Sequence, residues 1–110
     1  MSPSPDYTTE AVDPEVLRRF FSDGDFETRA ARGELTTRVR LRSERPTPAG
    51  LGEPPGTVSH ILRYFDKDGR VVAIVHEYVL PDGSLGASGQ RDPKWVRIGD
   101  KAYRLASSTT

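Results

Sequence analysis

A chain of 110 residues suffices for one domain and is too short for two with separate cores. With 35% hydrophobic residues and a mean hydropathy of -0.59, it can bury a compact core but no deep cavity, and no apolar run approaches the roughly 18 residues a membrane span needs. Sixteen Lys and Arg balance 16 Asp and Glu, which argues against a chain devoted wholly to nucleic acid or a membrane surface, and the lack of cysteine excludes disulfides and thiolate chemistry.

Residues 1–12 carry prolines, Ser and Thr without periodicity and read as a disordered tail. They contain neither the basic nor the apolar region of a signal peptide, so the cytoplasm is the expected compartment. Asp13, Pro14 and Glu15 then form a helix start: a cap, a first-turn proline and an anion at the positive end of the helix dipole. Val16, Leu17, Phe20 and Phe21 recur at three- and four-residue spacing and predict one apolar stripe, with Gly24 as a left-handed cap. A weaker helical turn runs from Phe26 to Arg32.

From Leu35 to Arg42 the period changes to two. Leu35, Thr37, Val39 and Leu41 are expected on one face, and Arg38, Arg40 and Arg42 in a basic row on the other. Prolines and glycines across 44–56 predict a mobile loop. Thr57–Phe65 and Val71–Leu80 form a hairpin around Asp68-Gly69. A two-residue turn there pairs Leu62 with Val75. A three-residue turn with a bulged Gly69 pairs Leu62 with Ile74 and sets His60 beside His76. Val58, Ile61, Leu62, Val72, Ile74 and Val75 are expected at the middle of the sheet, buried against Leu17, Phe20 and Phe21.

A second hairpin, Lys94–Ile98 with Lys101–Leu105, turns at Gly99-Asp100 in the type II′ manner. It sets Val96 beside Tyr103 and leaves Trp95, Arg97 and Arg104 together on the opposite face. A tryptophan beside two cations has the composition of a binding patch, so these three are the principal candidate site. Between the hairpins, Gly86-Ala87-Ser88-Gly89 could offer backbone N–H groups to an anion, with Ser88, Arg91 and Lys94 nearby. Arg38, Arg40 and Arg42 are further candidate anion contacts. Asp66, Asp68 and Gly69 lack the third carboxylate and distal Glu of a calcium loop and read as a turn. His60 and His76 lack a third metal ligand on their face, and Ser88, His76 and Asp82 do not have the context of a catalytic triad. No metal, cofactor or catalytic residue is therefore assigned.

His76 to Lys94 (HEYVLPDGSLGASGQRDPK) resembles the tail H-x-Y-x-x-P-D-G-x-x-G-x-S-G-x-x-D-P-K of small uncharacterised bacterial proteins, a likeness that implies no activity. Asp23-Gly24-Asp25-Phe26-Glu27 and the later Phe65-Asp66-Lys67-Asp68-Gly69-Arg70-Val71 also resemble the nuclear-transport-factor-2-like (NTF2-like) cone fold, which implies a concave sheet that can hold a small molecule.

The expected architecture is α+β: a short N-terminal helix packed on an antiparallel meander of about five strands. A single domain spans 13–106, and 107–110 form a second tail. The expected function is a non-catalytic binding or interaction module of a bacterial cytoplasmic or mobile-element accessory type. Its expected partner is another protein or a second copy of the chain, with no membrane. Two alternatives stand beside it: an NTF2-like small-molecule-binding or enzymatic domain, with a pocket near His60, His76 and Tyr78, and a nucleic-acid-binding accessory protein using the arginine row and Trp95.

Overall fold

The computed structural model describes residues 7–43, 56–85 and 91–106. The loop expected at 44–56 lies, but for Gly56, outside the described residues, as do Ser88 and the tail 107–110. No described helix is long and apolar enough to cross a membrane. Helix α1 (Pro14–Asp23) begins where the sequence places it, although Asp13 contributes its backbone carbonyl to Leu17 N–H rather than a side-chain cap. Leu17 and Phe21, one turn apart, are buried, while Phe20 packs at the margin against Tyr103 at 4.4 Å between ring centroids. The second helical turn is α2 (Phe26–Ala31).

Gly24 does not act as a left-handed cap. Its φ of -79° is right-handed, and the left-handed residue is Asp25, at φ 53°. Gly24 is needed for a different reason: a Cβ there would fall 2.6 Å from Cε2 of Phe26, whose ring stacks on Phe21 at 5.4 Å. That close approach lets α2 fold back beside α1 and place Phe26 in the core.

The sheet has six strands, in the order β1 (Thr8–Val12), β6 (Lys101–Leu105), β5 (Asp92–Ile98), β4 (Val71–Val79), β3 (Val58–Phe65) and β2 (Thr36–Ser43). Strands β2 to β6 form the expected antiparallel meander, and β4 is internal, as its two-sided apolar run requires. The extra strand is β1, which pairs parallel to β6 and corrects the assignment of residues 8–12 to a tail. Its residues are exposed except Val12, so ladder hydrogen bonding rather than apolar burial holds it.

Both helices cover one face, over Leu62 and Tyr64 of β3, Ala73 and Val75 of β4, and Val96 of β5. Burying each of the larger side chains here contributes about 1.5–3 kcal/mol. The expected core set is only partly right. Leu62 and Val75 are in it, Val58 and Val72 are half-buried, and Ile61 and Ile74 lie on the opposite face because strand side chains alternate.

Three ladders contain one residue too many on one strand: Arg40 in β2, Val72 in β4 and Lys94 in β5. The turn after β3 is the three-residue kind, with Asp66 N–H bonded to the Arg70 carbonyl and Gly69 at φ 80°. Val72 then shifts the register by one, so Leu62 pairs with Val75, Ile61 with His76 and His60 with Glu77. The other hairpin needs no such correction. Gly99 has φ 64° while Asp100 is not left-handed, as a type II′ turn requires, and Trp95 pairs with Arg104 and Val96 with Tyr103.

Candidate functional site

The face of the sheet away from the helices carries an ordered row. Arg104 of β6 pairs with Trp95 of β5, Trp95 with Ile74 of β4, Ile74 with Arg63 of β3, and Arg63 with Arg38 of β2. At about 4.8 Å per strand the row is about 19 Å long from Arg104 to Arg38. Arg104 and Arg38 are exposed; Trp95, Ile74 and Arg63 are half-buried. The buried Nε of Arg63 has no hydrogen-bond partner.

Tyr7 lies over one end of this row. Its ring meets Trp95 edge-on at 5.8 Å, and the Arg97 guanidinium sits over it at 4.8 Å from the centroid. The expected patch of Trp95, Arg97 and Arg104 is therefore brought together, but Trp95 and Arg97 are half-buried beneath Tyr7 rather than openly exposed. Tyr7 and Arg63 carry no signal of their own in the sequence. Tyr7 sits in the segment expected to be a tail, and Arg63 joins the row only through two ladders, each carrying a bulge, whose pairing must be known first.

The basic row of β2 is corrected. The extra residue Arg40 reverses the alternation, so Arg38 pairs with Arg63 on the helix-free face while Arg42 pairs with His60 on the other. Val39 and Leu41 on this edge strand are 51% and 61% exposed. The strand expected to be half-buried is thus an exposed edge. Arg91 and Lys94, the candidate anion contacts, hold carboxylates: Arg91 bonds Glu77 at 2.8 Å and Glu27 at 3.3 Å, and Lys94 bonds Asp92 at 2.9 Å.

On the helix side, Glu77 is a carboxylate only 7% exposed. One oxygen accepts from Arg91 Nε; the other bonds His60 Nδ1 at 3.1 Å. Burial opposes the Arg91 charge, but Tyr64, Glu77 and Glu27 outweigh it and raise its pKa. Burial also pushes the nearby Tyr64 hydroxyl up to about 12. A cleft of about 340 Å³ opens beside this network, between Phe21, Asp25, Phe26 and Glu27 of the helical segment and Arg91 and Pro93.

His76 stands on the helix-free face, where it shares a 2.7 Å hydrogen bond with Ser59 and meets the Tyr78 ring edge-on at 4.6 Å. Burial, then the Lys94 charge, lowers its pKa. Its register neighbour Asp92 faces Lys94 and Arg18 with its two oxygens, so the Ser59–His76 pair is not completed by that carboxylate. Asp82 accepts from Ser84 N–H and Oγ, which makes a local turn. Asp66 does likewise for Asp68 and Arg70 N–H groups, as a turn requires. No group of three metal-binding side chains occurs among the described residues. No protein-family model, curated protein or solved structure matches the chain.

Proposed function

We propose that this protein is a non-catalytic binding module and that the helix-free face of the sheet is its binding surface. The row from Arg104 through Trp95 and Ile74 to Arg63 and Arg38 carries this reading. No described carboxylate pairs with Arg38, Arg63 or Arg104, whereas Arg18, Arg29, Arg32 and Arg91 all face carboxylates. Arginines without a carboxylate partner, set in one row with a tryptophan, have the composition of a surface kept for a partner. Among the described residues no carboxylate engages the Ser59–His76 pair, which supports binding rather than acyl transfer.

The test compares immobilised protein with its Arg104→Glu variant for what each retains from a cell lysate, with proteins and nucleic acids scored separately. Arg104 is exposed, so the variant keeps the fold. The reading expects a component held by the parent and lost from the variant. Equal retention by both rejects this face.

A second reading, a small-molecule site of the cone-fold kind, is favoured by one observation. Arg91 lines the cleft and is held there by Glu77, a buried carboxylate that also bonds His60, so a fixed cation faces a concave space of ligand size. A thermal-shift screen of small metabolites against the parent and Glu77→Gln tests it: it expects a shift in the parent that the variant loses, and no shift in either rejects it.

A further inference from the structure

We infer that the helix-free face binds single-stranded nucleic acid laid across the strands, with a base stacked on Trp95 and phosphates held by Arg38, Arg63 and Arg104. The inference rests on the proposed binding face and names its partner. The chain as a whole is neutral, but the charge is sorted by face. Alternation from the ladders places Arg38, Arg63, Arg97 and Arg104 on the helix-free side of the strands, against a single strand carboxylate, Asp92. The remaining described acids sit on the helices and their joins, in turns, or on the helix side of β1 and β4.

The arrangement within the row matters as much as its charge. Arg63 and Arg38 are direct cross-strand neighbours, a like-charge pair that is unfavourable by itself and becomes favourable when an anion bridges it. The buried Arg63 Nε has no partner among the described residues, so the hydrogen-bonding demand of this guanidinium is incompletely met by the fold. Arg104 lies three strands from Arg63, about 14 Å away, and the interval is filled by Ile74 and by Trp95, whose ring Tyr7 meets edge-on and so leaves partly open. Alternating cations with an aromatic platform is what a single strand needs, because each nucleotide offers a phosphate and a π-face, and stacking tolerates any base. A duplex hides its bases and cannot use Trp95. An acidic peptide satisfies the arginines but leaves the indole without a planar partner.

The experiment uses the full chain and a dodecamer of thymidylate, followed through Trp95, the one tryptophan. At about 50 mM salt the fluorescence should be quenched on binding, and the logarithm of the binding constant should fall linearly with the logarithm of salt. Arg38→Ala and Arg104→Ala should each weaken binding several-fold and flatten that slope by about 0.7, the share of one phosphate contact on a single strand. A duplex dodecamer and a dodecamer of glutamate should bind at least about tenfold more weakly than the single strand.

Four results overturn the inference: no binding at about 100 μM oligonucleotide, slopes unchanged in both variants, equal affinity for the duplex, or equal affinity for the acidic peptide. Should oligonucleotides fail while Arg104→Glu abolishes retention of a protein, the nucleic-acid partner is wrong and the binding face stands. Should that variant change nothing in either assay, both fall.

Discussion

His60 and His76 stand on opposite faces of the sheet because Val72 is one residue more than the facing strand can match. Were Val72 paired in register with Tyr64, the three-residue turn would set the two imidazoles side by side. With Val72 left unmatched, His60 meets Glu77 under the helices and His76 meets Ser59, half-buried, on the helix-free face. The two histidines cannot share a ligand, and each belongs to a separate polar group.

The Glu77 group is the one whose loss should damage the fold. Glu77→Ala leaves His60 Nδ1 without its acceptor and takes from Arg91 the nearer of its two carboxylates, with Glu27 remaining at 3.3 Å. A fully buried pair broken in this way costs about 3–5 kcal/mol, but the Arg91 side chain is 30% exposed and recovers water, so about 2–3 kcal/mol is expected. Urea midpoints of the parent and variant measure it. A loss below about 0.5 kcal/mol would show that water already supports the network.

The two neighbouring phenylalanines of α1 should differ sharply. Phe21 is buried between Phe26 and Tyr64, so Phe21→Ala should cost about 3–5 kcal/mol. Phe20 packs only against the margin, on Tyr103, and its loss should cost about 1–2 kcal/mol. Equal losses in denaturant melts would mean that α1 is rotated about its axis from the position described.

Elements with strong local signals were legible in the sequence, and those that depend on long-range pairing were not. The α1 stripe, α2 and the Gly99-Asp100 turn announce themselves through spacing and a left-handed glycine. Strand β1 could not, since Thr8 to Ala11 bury nothing and only the β6 ladder makes them a strand. The bulges at Arg40, Val72 and Lys94 have no marker, because none replaces an alternation with a glycine or proline. Yet each bulge moves the later residues of its strand to the opposite face. The arginine row of β2 was therefore read on one face when it occupies two, while the true row across five strands, with Trp95 at its second position, was visible only through its Trp95–Arg104 pair.

Gly24→Ala should destabilise the fold although the backbone there is ordinary. The added methyl would lie 2.6 Å from the Phe26 ring, which is held by Phe21 and cannot move freely. Overpacking of this kind costs about 1–3 kcal/mol. Gly24→Ala in a background of Phe26→Leu should recover part of its own cost, and a double-mutant cycle reads that coupling. Simple additivity would place the cost in the backbone rather than in the contact.

Stability should fall as the solution is acidified through the histidine range, and His76 should be one cause. Burial and Lys94 hold its folded pKa below the ordinary imidazole value. The unfolded chain therefore takes up this proton first. The contribution of neutral His76 is complete above about pH 6.5 and is lost as the pH falls from there towards the lowered folded pKa. His76→Gln should reduce the difference in urea midpoint between pH 7 and pH 5. An unchanged difference would mean that His76 protonates equally in both states.

Tyr7 decides how much of Trp95 is open. It lies outside every strand, yet its ring meets the indole at 5.8 Å and carries the Arg97 guanidinium at 4.8 Å. The aromatic pair contributes about 0.5–1.5 kcal/mol and the cation contact about 0.5–1 kcal/mol, so Tyr7→Ala should cost about 1–2 kcal/mol. That is too little to unfold the sheet, because the core on the helix side is untouched. The single tryptophan gives a clean readout: its emission should shift to the red and become more accessible to iodide. Tyr7→Phe should keep the parent spectrum, since the hydroxyl takes no part in either ring contact. An emission maximum unmoved by Tyr7→Ala would show that Trp95 is shielded by something other than Tyr7, and the half-buried state of the indole would need another cause.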